Sequence, residues 1–505
     1  MCYIVSINSY HPYYEEHYMN IATFEQLLGT LKKVTDDITK TLPFKSIQAF
    51  LDDLKQVKPT WPALKIGNLV APTPIVQGGM GVGISLSGLA SAVANAGGIG
   101  VIAANAIGLI EKDYYKDGRE ANLRAFRREI RKARSLTTGI IGVNIMVAVS
   151  DFHELLDVAI EEKVDIVFVG AGLPIKGLPV ERLRENGVKF APIVSSARAT
   201  EMIFKMWKKI YNDVPDAVVF EGPMAGGHLG FTEEQLNEPA FQLDAIVPEI
   251  AKVLIPYGQE FSREIPLIAG GGVYTGEDIY QVFQSGAQGV QMATRFVATD
   301  ECDADIRFKQ AYVDCRKEDI GIIKSPVGMP GRAIRNKFIT DSEAGIRPAF
   351  TCAWKCLSSC KAQDANYCIS IALNNARKGV LQGGFVFAGS NAYRIQEIVP
   401  VASLVSELAT GYWLAEKQKV SSKLENLVAS LQNLAERYKA LQGQVLVLGK
   451  AYEHALITPS ALREKVSMTE LRNTYEKTQA SARKLQLKMV EKLMASWYLL
   501  EPQIV

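Results

Sequence analysis

Between residues 74 and 292 short apolar runs recur eight times, and this alternation restricts the possible folds more than any other feature of the chain. The runs are 74–77, 99–103, 140–146, 166–170, 192–195, 217–220, 266–269 and 289–292. They are apolar nearly throughout rather than at every second position, as expected of a parallel sheet covered on both faces. Between them, residues 86–96, 123–132, 152–162, 199–210 and 278–285 carry apolar side chains at helical spacing. Eight strand–helix repeats predict an α/β fold, a (β/α)8 TIM barrel over residues 64–345, with 64–70 as a short strand closing its bottom. An open doubly wound sheet is the alternative. No G-x-G-x-x-G opens a helix with an acidic residue about 20 positions on, so the dinucleotide version of that sheet is weakly supported.

The predicted strands end in residues suited to a ligand. The first leads into Gln77-Gly78-Gly79-Met80, the third contributes Asn144, and the fourth ends in Gly170-Ala171-Gly172. The seventh ends in Gly270-Gly271-Gly272 and the eighth in Gln291-Met292-Ala293-Thr294-Arg295. Glycine-rich loops after the last two strands are the usual phosphate position in such a barrel, with free backbone N–H groups and a helix N-terminus behind them. Together with Gly79 and Gly172 on the same rim, they favour a phosphorylated planar cofactor over plain turn chemistry. After the sixth strand comes Glu221-Gly222-Pro223-Met224-Ala225-Gly226-Gly227-His228, holding one of five histidines in the sequence. A histidine flanked by glycine at that end of a barrel is placed for acid–base work; a histidine satisfying its own turn is the plain alternative.

Seven cysteines are unevenly spread: Cys2, Cys302 and Cys315 stand apart, while Cys352, Cys356, Cys360 and Cys368 crowd into one stretch. An odd total without an export signal argues against a disulfide framework. Four thiolates suit an iron–sulfur cluster or tetrahedral zinc, and three cysteines at four-residue steps with the fourth a little further on favour a [4Fe–4S] cluster over paired zinc knuckles. Residues 346–410 are therefore expected to form a cluster-binding segment.

Lys+Arg 56 against Asp+Glu 54 offers no electrostatic case for nucleic acid or a membrane surface. The first residues lack a signal peptide's basic start and apolar core, and no apolar run reaches the ~20 residues of a membrane span, so a cytoplasmic protein is expected. Residues 1–63 read as a leader with helical spacing at 23–31 and 46–54. In residues 411–505, Leu424, Leu427, Leu431, Leu434, Tyr438 and Leu441 mark an amphipathic helix, Thr458-Pro459-Ser460 a break and 471–498 a second helix. This C-terminal helical hairpin is expected to pack on the barrel or form a homodimer, with docking of a partner protein as the alternative.

The segments 75–81, 142–145, 169–174, 221–231, 268–272 and 289–296 resemble the nitronate monooxygenase (2-nitropropane dioxygenase-like) superfamily of FMN barrels, which includes FMN-type enoyl-ACP reductases. Lys324-Ser325-Pro326-Val327-Gly328, the four cysteines and Gly389-Ser390-Asn391-Ala392-Tyr393-Arg394 are similar to one branch, the flavin- and iron–sulfur-containing acyl-ACP dehydrogenase/isomerases. The resemblance implies FMN contacts at Gln77, Gly78, Gly79, Met80, Asn144, Gly170 and Gly172, with the phosphate against Gly271, Gly272, Gln291, Met292 and Thr294. It implies that His228 is the catalytic base and that Cys352, Cys356, Cys360 and Cys368 hold a [4Fe–4S] cluster. The substrate implied is a medium-chain acyl group on acyl carrier protein, oxidised to trans-2-enoyl and isomerised to cis-3-enoyl. Such chemistry needs a base with a pKa near the working pH.

Overall fold

A computed structural model describes residues 61–346, 349–352, 354–358, 360–457 and 467–500. The helical spacings at 23–31 and 46–54 and the break at Thr458-Pro459-Ser460 lie outside the described residues. The chain divides into two compact units: residues 60–413, and a second that includes residues 414–505.

The first unit opens with a hairpin of β1 (Leu64–Ile66) and β2 (Leu69–Ala71). It continues with β3 (Ile75–Gln77), β4 (Ile99–Ala103), β5 (Ile140–Met146), β6 (Ile166–Gly170), β7 (Lys189–Val194) and β8 (Val218–Glu221). A two-residue strand, β9 (Gly227–His228), precedes β10 (Leu267–Gly270) and β11 (Gly289–Met292). All but β1, β2 and β9 pair in parallel in the order β10-β11-β3-β4-β5-β6-β7-β8, and β8 pairs with β10 to close the barrel. The (β/α)8 barrel read from the sequence is the fold observed. Inside it, Val76, Val101, Phe168, Val219 and Ile268 pack in one apolar cluster with Leu64, Ile66 and Ala71 of the hairpin. The predicted closing strand is thus a hairpin whose apolar side chains plug the barrel floor.

Helices cover the outside. Ser87–Asn95, Gly118–Leu136, Phe152–Glu161, Ala197–Tyr211 and Gly276–Gln284 match the predicted stretches to within a few residues at either end. The first is capped from a distance: the Asp303 carboxylate accepts the N–H groups of Leu86, Gly88 and Leu89 at 2.8, 3.2 and 3.1 Å, filling orphan donors that no local side chain reaches. Two differences from the sequence reading have clear causes. Helix Leu243–Glu260 carries Pro248 and Pro256 inside it, so the usual breaker rule hides it. Strand β7 starts at Lys189 because Lys189 and Phe190 pair with Ile166 and Val167 ahead of the apolar run.

A small sheet beyond the barrel is absent from the sequence reading. It consists of β12 (Ile320–Lys324), β13 (Pro330–Ile334) and β14 (Val386–Phe387), with β9 also pairing to β13. A helix then runs Val401–Ile457, starting well before the predicted amphipathic stretch. In the second unit, Tyr452 stacks on Tyr475 of helix Met468–Leu500 at 6.4 Å. None of the described helices is long and apolar enough to cross a membrane.

Candidate active site

The C-terminal ends of β8, β10 and β11 enclose a cavity of about 70 Å³. Gly271, Gly272, Gln291, Met292 and Thr294 line it, together with Glu221, Met224, Gly226, Gly389 and Asn391. Two glycines hold loops at distances no side chain permits. Gly271 lies at φ +83° with its absent Cβ 2.5 Å from the Gly222 carbonyl oxygen, and Gly226 packs with the same point 2.5 Å from the Ala388 carbonyl carbon. The roof is tied down by hydrogen bonds: Gly389 N–H donates to Thr294 Oγ1 at 3.0 Å, Ser390 N–H to the Met224 carbonyl at 3.1 Å, and Asn391 Nδ2 to the Gly272 carbonyl at 2.8 Å. Two helix N-termini stand behind these loops. Gly276–Gln284 carries a capping box of Thr275 and Asp278, with Asp278 accepting from the N–H groups of Tyr274 and Thr275. The short helix Thr294–Val297, which follows β11 and starts in the cavity wall, has no side-chain cap.

The other predicted contacts continue this rim. Gly78 N–H donates to the Met292 carbonyl at 2.8 Å, and Gly79 packs against Asn144, its missing Cβ 2.4 Å from that side chain's Cβ. Met80 N–H bonds to Ser85 Oγ at 2.9 Å. Gln77 is fully buried, and its Oε1 accepts from Val101 N–H at 3.0 Å, so its carboxamide belongs to the barrel wall. Gly170 and Gly172 sit on β6 and the loop after it, directly across the barrel from β11. Non-glycine residues Val82, Ala106 and Ala171 hold positive φ near this mouth, backbone strain of the kind that gathers at functional sites.

His228 lies seven residues beyond the end of β8, on β9, where Gly331 of β13 pairs with it. Its Nε2 is 2.7 Å from Ser325 Oγ, and Phe387 of β14 meets the ring edge-on at 5.1 Å. Beneath the loop, Arg332 Nη1 donates to the Pro223 and Ala225 carbonyls at 2.6 and 2.7 Å, and burial lowers this guanidinium to about 10. Desolvation pushes His228 down to about 4, below the near-neutral value expected of a base. The same cause pushes Glu221 up to about 7.

These two shifts act oppositely on stability. His228 is protonated in the unfolded chain below about 6.5 but stays neutral in the fold down to about 4, so its contribution is full above 6.5 and is lost as pH falls. Glu221 keeps its proton in the fold up to about 7 against 4.5 unfolded, so its contribution is full below 4.5 and is lost as pH rises. Between pH 4.5 and 6.5 the slopes oppose. Urea unfolding of the ligand-free Glu221→Gln variant is expected to gain stability with rising pH more steeply than the parent, by about 1 kcal/mol per pH unit. Parallel curves for the two proteins would contradict it.

Cys352, Cys356, Cys360 and Cys368 surround a second cavity, of about 350 Å³, whose wall also includes Pro326, Val327, Lys355 and Tyr367. The sequence reading expected a four-thiolate ligand set. Among the described residues, no three His, Cys, Asp or Glu side chains converge closely enough to hold a single metal ion. The four cysteines ring a volume instead. Pro326 and Val327 directly follow Ser325, so the turn that reaches His228 also walls the cysteine cavity.

The nitronate monooxygenase family profile matches residues 64–411, the barrel, the small sheet and the cysteine segment. The chain belongs to the nitronate monooxygenase family. A (3aS,4S,5R,7aS)-5-hydroxy-7a-methyl-1-oxo-octahydro-1H-indene-4-carboxyl-CoA dehydrogenase of Rhodococcus jostii is 28% identical over 54% of this chain. The match spans 65% of that relative's own length, just under two thirds. A probable nitronate monooxygenase of Staphylococcus aureus is 26% identical over 53% of this chain and 77% of the relative. Among solved structures, FabK from Thermotoga maritima superposes with a TM-score of 0.52 at 27% identity, over 70% of this chain and 95% of that one. Nitroalkane oxidase from Streptomyces ansochromogenes superposes with a TM-score of 0.53 at 22% identity, a likeness of fold. Membership of this family, with FabK among its structural likenesses, supports an oxidoreductase that uses FMN.

For a nitronate monooxygenase family member, several residues of this site escape a reading of local pattern. Glu221, Met224 and Asn391 line the phosphate-type cavity, and Arg332 and Ser325 support the histidine loop. Segments 324–328 and 389–394 stand out in the sequence only through resemblance. Their places above the barrel depend on a sheet that no periodicity in the sequence announces.

Proposed function

We propose that this chain is an FMN-dependent oxidoreductase and isomerase of acyl thioesters, taking a medium-chain acyl-ACP to its trans-2-enoyl and then cis-3-enoyl form, with a [4Fe–4S] cluster held by Cys352, Cys356, Cys360 and Cys368. The observation that carries the reading is the four-cysteine cavity walled by the same turn that touches His228. Nitronate oxidation has no use for such a cavity. The CoA-thioester dehydrogenase relative supports an acyl thioester as the substrate class.

The residues fit both groups. Gly271, Gly272 and Thr294 offer a phosphate close backbone approach and a hydroxyl. A cubane cluster puts each thiolate on a different iron, so its ligands should ring a volume, as these cysteines do. Bound FMN supplies a hydride acceptor. His228, neutral at working pH, removes the proton α to the thioester and returns it at another carbon for isomerisation. Arg332 keeps the Pro223–Ala225 backbone in place under the base, and Phe387 shields the ring from water. Docking of acyl carrier protein through the basic residues of 463–492 is part of the proposal.

The test is anaerobic purification with iron, acid-labile sulfide and optical analysis, followed by titration with acyl-ACPs of increasing length and with a nitronate. Bleaching of the flavin by acyl-ACP and near four irons per chain are expected. Turnover of the nitronate with no response to any acyl thioester would establish the second reading, which the Staphylococcus aureus relative favours.

A further inference from the structure

Among the described residues, the imidazole of His228 has one side-chain hydrogen-bonding partner, the hydroxyl of Ser325, 2.7 Å from Nε2. Ser325 is 4% exposed, so this hydroxyl is withheld from bulk water. Its position is set by the turn between β12 and β13. Gly328 N–H donates to the Ser325 carbonyl at 3.0 Å, Ser325 N–H donates to the Met329 carbonyl at 3.3 Å, and Val327 N–H approaches Ser325 Oγ at 3.4 Å. The two partners also share a frame. His228 pairs with Gly331 of β13, and Pro330, next to Gly331, pairs with Lys324, next to Ser325. Sheet register therefore places the hydroxyl against the ring, rather than a chance meeting of two loops.

We propose that Ser325 is the positioning residue for His228, accepting a hydrogen bond from Nε2–H so that the lone pair of the neutral imidazole is held on Nδ1. The inference rests on the reading of His228 as the base. A neutral imidazole carries one N–H and one lone pair, and whichever nitrogen is committed to a partner decides which one meets the substrate. When Nδ1 takes the α-proton, the electron pair of the broken C–H bond passes to the thioester carbonyl, and the imidazolium keeps Nε2–H directed at Ser325 Oγ. Ser325 neither gains nor loses a proton, and Nδ1 later returns its proton to carbon. An oxygen acceptor placed beforehand stabilises the cation that forms in a desolvated site. A carboxylate there would do so more strongly, but it would also hold the imidazole protonated and unable to act as a base. A hydroxyl provides orientation while leaving the ring neutral, in keeping with burial as the sole cause of the lowered His228 pKa.

The experiment uses the purified holoprotein labelled with 15N-histidine, with the His228 resonances assigned by their loss in His228→Gln. The parent is expected to show a protonated Nε2 and an unprotonated Nδ1. Ser325→Ala should give a mixture of tautomers, and Ser325→Thr, which keeps the hydroxyl, should restore the parent pattern. The rate of flavin reduction by acyl thioester should fall about 10- to 100-fold in Ser325→Ala with KM little changed, and recover in the threonine variant. A parent tautomer with the lone pair on Nε2 would overturn the proposal. So would an alanine variant whose tautomer and rate equal the parent's. If the alanine variant does not fold, the parent spectrum and the threonine variant still decide. If no acyl thioester reduces the parent flavin, the substrate reading fails separately, because the tautomer is read without substrate.

Discussion

Replacing His228 by alanine is expected to slow flavin reduction by acyl thioester about 10²- to 10⁴-fold while leaving the flavin bound. The size follows from what is removed. The ring stands at the mouth of the barrel with one hydrogen-bond partner, Ser325, and one aromatic neighbour, Phe387. Burial is the cause of its lowered pKa, with no charged side chain among the described residues adding to the shift. The backbone of residue 228 is fixed by its pairing with Gly331, and the loop before it by Arg332. These restraints do not depend on the imidazole, so the phosphate-type cavity should survive the change and KM should move little. Anaerobic stopped-flow absorbance with a medium-chain acyl-ACP measures the rate directly. A variant that bleached at the parent rate would remove His228 from the chemistry, whatever the substrate.

Gly271→Ala is expected to give the second large effect, on cofactor retention rather than rate. At φ +83° an L side chain is strained, and the added Cβ would meet the backbone oxygen and nitrogen of Gly222 at 2.5 and 2.8 Å. Neither loop can yield cheaply, since Gly222 N–H donates to the Gly270 carbonyl at 2.8 Å in continuation of the β8–β10 pairing. Strain of about 1–3 kcal/mol placed in the wall of the cavity should weaken FMN binding by about tenfold or more, at ~1.4 kcal/mol per factor of ten. Equilibrium fluorescence titration of the stripped protein with FMN gives the Kd. Gly187→Ala separates the causes: it has φ +71° but nothing within 4 Å of the added atom, and it lies outside both cavities. That variant should lose some stability and keep its FMN affinity. Equal losses of affinity in the two variants would show a general effect of left-handed glycine, not a cradle at Gly271.

Much of the barrel was legible in the sequence because its requirements are local. A strand covered on both faces must be apolar along its length, as Ile99–Ala103 and Ile166–Gly170 are, with every residue buried. A loop that approaches another backbone closely needs glycine, as Gly271 and Gly226 show. Both demands act on the residue type at the position itself. Helix Leu243–Glu260 escaped because tertiary packing of Ile246, Val247 and Ile250 outweighs its two prolines. Local pattern marks His228 and the glycine loops as candidates, but not the capping of the helix after β10 by Thr275 and Asp278.

Local pattern was therefore enough for the barrel, and it marked the glycine loops and His228 as candidates. The tertiary structure decided what that histidine touches. Ser325 lies 97 residues further along the chain, and Arg332 more than 100 from the carbonyls it holds. Their meeting depends on the register of β9 against β13, which in turn depends on where a hairpin from residues 320–334 comes to rest above the barrel. Strand pairing of that kind is set by the sum of contacts across two distant segments and leaves no period in either one. The cysteine cavity meets the His228–Ser325 contact at the same hairpin turn, with Pro326 and Val327 on one side and Ser325 on the other.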